Sequence, residues 1–206
     1  MSGSEVSILK IFANCSICFI LQNLLQKVLA PETILSWVFS KNRRLEMNKS
    51  LKVRQTSDLT DQEKVEVFNL WNSQYPEKLS YHTLAAFDEY LQNLNNLTHF
   101  LLTNELDVIF GWALTFEREN EKWFAIILSD EIKGKGFGRK LLDQLKETEP
   151  VLNGWVIDHH NDRRTNGEPY ISPLKFYEKC DFEILTDERL ELAKISAVKI
   201  KWTNLR

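Results

Sequence analysis

Three of the chain's seven glycines stand at alternate positions, Gly134, Gly136 and Gly138, with Lys133, Lys135, Arg139 and Lys140 around them. Glycines in such a run let successive backbone amides turn toward one point, and no Cβ bars an approaching phosphate. A helix opening at the last glycine adds the partial positive charge of its N-terminus. The cations screen charge at the same spot, so a pyrophosphate is the natural guest. A solvated strand-to-helix turn is the alternative that these residues leave open. Two other phosphate loops are excluded. A Walker A loop needs G-x4-G-K-[ST], but Arg139 stands at its second glycine and Leu141 follows Lys140. The dinucleotide fingerprint G-x-G-x-x-G fails at Arg139 as well.

The elements that must position this stretch follow from periodicity. Residues 51–56 alternate like a first strand, and Asp58 and Thr60 are cap-type residues before a helix on which Val65, Phe68 and Trp71 share a face. A second helix is expected over 81–94. Three strands follow, in "THFLLTNE", "DVIFGWALTFERE" and "KWFAIILSD", with turn signals between them. After the glycines, Leu141, Leu142 and Leu145 line a helix that stops before Pro150. "NGWVIDHH" reads as a strand, "SPLKFYEKC" as a short helix, and "FEIL" and "KISAVKIKW" as two closing strands. Trp112, Trp123 and Trp155 sit at strand positions that favour the core over a pocket. Arg163 and Arg164 are expected in a solvated loop.

"IILSDEIKGKGFGRKLL" resembles the acetyl-CoA signature of the GNAT acyltransferase superfamily, [QR]-x-x-G-x-G/A, here on Lys133, Gly134, Lys135, Gly136, Phe137 and Gly138. "PLKFYEKCDFEIL" is similar to the family's downstream helix and strand. The likeness runs over about residues 51–202 in order of elements. It implies an α/β fold with a mixed, mostly antiparallel central sheet flanked by helices. It also implies acetyl transfer from acetyl-CoA to an amine by direct attack, the alternative being a non-catalytic CoA-binding regulatory module. The cofactor would lie on Ile127 and Leu128 at the end of the fourth strand, on residues 133–138 and on Arg139. Tyr177 matches the tyrosine that serves as acid toward the departing thiolate. Asp158, then His160, are the candidates for a base, at the end of the strand after the CoA helix; strand alternation puts His159 on the opposite face. The chain departs from the pattern at Lys133, at Asp181 where glycine is usual, at Tyr170 where asparagine is common, and in the long loop "NDRRTNGEPYIS".

The 206 residues carry a formal net charge of -3, with 27% charged and 43% hydrophobic residues. That balance gives no general nucleic-acid footprint. Three cysteines, an odd number, argue for a reducing compartment, and a cytoplasmic setting is expected. Cys15 and Cys18 form a lone C-x2-C with no partner pair at zinc spacing, so no metal is expected. Residues 1–46 form an N-terminal appendage distinct from a 47–206 domain, with Lys10, Lys27, Lys41, Arg43 and Arg44 against Glu5, Glu32 and Glu46. Ile17, Leu21, Leu24 and Val28 recur at helical spacing, which predicts a short amphipathic helix rather than a transmembrane span. The expected partner is a small-molecule or peptide amine, and a homodimer stays open.

Overall fold

The computed structural model describes residues 51–204. The expected helix at 17–28, the Cys15–Cys18 pair and the whole 1–46 appendage lie outside the described residues.

The described residues open with β1 (Lys52–Thr56), followed by α1 (Asp61–Gln74) and α2 (Leu84–Gln92). Thr60 starts α1 through a capping box: its hydroxyl accepts from Glu63 N–H, while the Glu63 carboxylate accepts from Thr60 N–H. The buried face of α1 is Val67, Leu70 and Trp71, whereas Val65 is 37% exposed. Trp71 of the expected face is buried and Phe68 packs against Phe87 at its edge, while Val65 faces outward and Val67 and Leu70 fill the inner side instead.

A meander follows: β2 (Asn95–Thr103), β3 (Ile109–Arg118) and β4 (Glu121–Leu128). The β3–β4 turn places Glu119 and Asn120 at φ 54° and 61°, the left-handed pair that a two-residue hairpin requires. Then come α3 (Phe137–Thr148), β5 (Val151–Val156), α4 (Leu174–Glu178), β6 (Glu183–Leu192) and β7 (Ile195–Thr203). The seven strands form one sheet in the order β1-β2-β3-β4-β5-β7-β6, antiparallel except between β4 and β5. The mixed, mostly antiparallel sheet expected from the sequence is present.

Alternation along β3 sends successive residues to opposite helices. Trp112 packs with Trp71 and Phe87 of α1 and α2, while a Cβ on Gly111 would lie 2.7 Å from Leu128 and 3.2 Å from Leu141 of α3. Helices therefore cover both faces, and Leu141, Leu142 and Leu145 are fully buried as expected. Trp112 and Trp123 are core residues, with Trp155 tilted against Trp123 at 5.4 Å.

β4 and β5 pair at a single register position, Trp123 with Asn153. Beyond it they diverge, and the sheet opens on the side where β4 runs into the glycine stretch. β5 stops at Val156, so Asp158–His160 lie in a loop and the expected strand alternation does not govern them.

Candidate active site

β4 ends at Leu128, and one turn of 3-10 helix, Asp130–Ile132, carries the chain into the glycines. Gly134 and Gly136 have φ of 74° and 84°, the left-handed region in which a side chain is strained. Gly136 is the N-cap of α3, without a side-chain cap, so the first amides of that helix have no intrahelical acceptor. Nothing lies within 4 Å of a Cβ built on Gly134 or Gly136. That is an open cradle of backbone donors at a helix N-terminus, the arrangement suited to a pyrophosphate. Gly138 answers a different need: a Cβ there would meet Leu128 and Phe176, both at 3.2 Å, so it lets α3 pack against β4 and α4.

The cradle opens into a cleft of about 670 Å³ bordered by Leu128, Lys133, Gly134, Gly136, Gly138 and Arg139 on one side and by Tyr170, Phe176 and Tyr177 on the other. Ile127 lines a smaller recess of about 120 Å³ that shares Leu128 and Lys133 with the cleft. Lys135 is exposed and Phe137 half-buried, and neither side chain borders either cavity. The cations divide their work. Arg139 donates to the carbonyl of Lys179, the C-cap of α4, and so ties the start of α3 to the end of α4. Lys140 does not screen the cradle, because its ammonium donates to the carbonyl of Leu51 ahead of β1.

Tyr177 is 6% exposed, and its ring is held edge-on by Phe124 at 5.8 Å, Phe176 at 5.1 Å and Phe182 at 5.5 Å. Burial pushes its phenol well above the ordinary range, so the hydroxyl stays protonated. Burial also raises Tyr75 and Tyr170. Asp181, at φ 62°, takes the left-handed position where the sequence pattern has glycine.

The two candidate bases are not brought to the cleft. Asp158 accepts two hydrogen bonds from the Arg189 guanidinium of β6, at 2.9 and 3.2 Å. That pairing holds its carboxyl below the usual range despite some opposing burial. His160 is exposed, and its Nδ1 accepts from Ser172 N–H at 3.1 Å, which occupies the nitrogen that a base would use. Neither residue borders the cleft or the recess.

The loop 161–172 supplies what sequence reasoning placed in solvent. Arg164 is only 11% exposed and lines the cleft. Its guanidinium pairs with Asp130 at 2.7 Å and with Glu168, and also donates to Gln74 Oε1 at 3.2 Å. Lys133 reaches the same Asp130 at 2.8 Å and the same Gln74 oxygen. Partial burial opposes ionisation of Asp130, but the hydrogen bonds from Lys133 and Arg164 hold its carboxyl down to about 2. The loop is anchored on the end of α1 and the turn after it, for Thr165 Oγ1 donates to Asn72 C=O and Glu77 N–H to Arg163 C=O. The length of the loop was the available signal; its docking partner was not visible in the sequence.

A seven-stranded sheet opened where β4 leaves β5, with a glycine turn leading into α3 beside the opening, is the fold of the GNAT acetyltransferases. No protein-family model matches the sequence, and no curated protein does. Solved structures do. An aminoglycoside 6'-N-acetyltransferase complexed with coenzyme A superposes with a TM-score of 0.58 at 12% identity, over 75% of this chain and 98% of that one. A GNAT superfamily phosphinothricin acetyltransferase from Sinorhizobium meliloti, in complex with acetyl-CoA, gives 0.51 at 12% identity over 74% and 88%. A spermidine/spermine N-acetyltransferase from Vibrio cholerae gives 0.50 at 18% identity over 75% and 92%. At such identities the shared property is the fold.

Proposed function

We propose that this chain is an acetyl-CoA-dependent N-acetyltransferase that acts by direct attack of an amine on the thioester. The observation that carries this is the open glycine cradle at the N-terminus of α3, set at the mouth of a cleft with a protonated, immobilised Tyr177 in its wall. The residues fit acetyl-CoA. Gly134 and Gly136 leave room for a pyrophosphate on backbone amides, and the flank of Ile126 and Leu128 offers apolar wall to a pantetheine arm. Acetyl-CoA supplies the acetyl group as an activated thioester.

The amine nitrogen attacks the carbonyl carbon, the C–S bond breaks, and the amine's surplus proton leaves to water. Tyr177 O–H donates toward the departing sulfur. Its raised pKa makes it a hydrogen-bond donor that persists through the working pH range rather than a strong acid. Among the described residues Asp130 is the one carboxylate bordering the cleft, and with its carboxyl held at about 2 it is a poor proton acceptor. The acceptor therefore enters as its free base. Among the described residues no helix is long and apolar enough to cross a membrane. The odd cysteine count and the free, buried Cys180 suit a reducing compartment, and we place the chain in the cytoplasm.

The test is thiol release from acetyl-CoA across a set of amines and a range of pH. With an amine of pKa near about 10, kcat/KM should rise tenfold per pH unit up to that pKa, because only the free base reacts. A plateau beginning near neutrality, unchanged among amines of different pKa, would reveal a base on the protein.

A further inference from the structure

The recess beside the cleft has a composition that bears on the acceptor. Its walls are mostly apolar, with Tyr75, Ile126, Ile127, Tyr170, Ile171 and Pro173, Leu128 at the junction, and Gln74 as the one amide. Among the described residues its one charged side chain is Lys133, and none is a carboxylate. In the adjoining cleft the described lining residues include four cations, Lys133, Arg139, Arg164 and Lys179, and one carboxylate, Asp130. Asp130 is already paired with Lys133 and Arg164. A second ammonium on an acceptor would lose its hydration in the recess and find no carboxylate among the described residues there. An apolar body would find matching walls. The same surroundings favour the neutral form of a single amine, which is the form that attacks. The hydroxyls of Tyr75 and Tyr170 make no hydrogen bond to other described residues, so each can meet a polar atom on the acceptor.

Resting on the proposed acetyl transfer, we infer that the recess binds the acceptor and that the acceptor is a compact monoamine with an apolar, ring-sized body. Polyamines and aminoglycosides are excluded by charge. The acceptor is thus of a different class from those named for two of the structural neighbours, although the fold is shared. Ile171 is the point at which this selection can be altered without disturbing the core, because it is 68% exposed and borders both cavities.

The experiment uses the full chain and three probes: 2-phenylethylamine, spermidine and kanamycin. Acetyl-CoA binding is first measured by calorimetry without amine. Each amine is then titrated into the chain saturated with CoA, and thiol release is followed with acetyl-CoA. The expected result is a preference of about tenfold or more for 2-phenylethylamine in both binding and kcat/KM. With each chain saturated with CoA at its own measured affinity, Ile171→Asp should weaken 2-phenylethylamine and strengthen spermidine. Preference for spermidine or kanamycin, no binding of 2-phenylethylamine to the CoA-loaded chain, or no response to Ile171→Asp overturns the inference while leaving CoA binding intact. Failure to bind acetyl-CoA at the outset overturns the acetyltransferase proposal itself, and the inference with it.

Discussion

Tyr177 shows how surroundings fit a single side chain for the donor role we propose for it. Three aromatic rings fix it, and burial raises its pKa, so the hydroxyl is a donor in a set direction. Tyr177→Phe keeps the ring packing and removes the donor. Turnover should fall by about 10²- to 10⁴-fold, the usual range for acid assistance, with acetyl-CoA affinity unchanged. A Phe variant as fast as the parent would make Tyr177 a packing residue. The same local logic sets aside Asp158: its carboxylate is committed to Arg189, so Asp158→Asn should retain turnover, as a steady-state assay can check. Tyr177 stood out in the sequence because its neighbours form a short motif. The partners of Asp158 and His160 were not legible, because Arg189 and Ser172 reach them through tertiary contacts 31 and 12 residues away in the chain.

At the scale of elements, the strands and helices with strong periodicity were legible and their ends were not. α3 matches its apolar stripe, but β5 starts at Val151 and ends at Val156, shifted from the expected 153–160 because its pairing with β7 fixes its extent. The short strand expected at 182–185 belongs to β6, which runs on to Leu192 and turns into β7 through Ala193 and Lys194, a pair with no glycine or asparagine to announce a hairpin. β2 and β3 carry a further link between elements. The His99 ring stacks on Trp112, and its Nδ1 accepts from Trp112 Nε1–H at 3.1 Å. Burial lowers His99 from 6.5 to about 4. Unfolded chains therefore bind a proton that folded ones refuse between those values, so the contribution is full above about 6.5 and is lost as pH falls toward 4. That loss amounts to up to about 3 kcal/mol. Urea unfolding at pH 7 and pH 4.5 should show a smaller pH effect in His99→Gln than in the parent. Parallel losses in the two proteins would assign the acid sensitivity to other groups.

Over the whole molecule, residues 51–204 contain all seven strands and helices on both faces of the sheet. We propose that residues 1–46 are dispensable for this fold. A chain beginning at Met47 should melt within a few degrees of the full chain, and loss of soluble protein would show that the segment completes the core. The two parts of the sheet meet through one register pair, and across the cleft they are joined by Asp130–Arg164 and by Arg139 with the Lys179 carbonyl. The function we propose for this architecture depends on the cradle at the cleft mouth. Calorimetric titration of CoA into the parent chain and into Gly136→Val tests it most directly. Gly136 sits at φ 84° in open space, so valine strains the backbone by roughly 1–3 kcal/mol without striking a neighbour. The prediction is that the parent binds CoA and that Gly136→Val, with its circular dichroism spectrum preserved and the cradle displaced to relieve that strain, binds at least about fivefold more weakly, as its lower bound implies. A folded Gly136→Val protein with undiminished affinity would contradict the assignment of residues 133–139 as the pyrophosphate cradle.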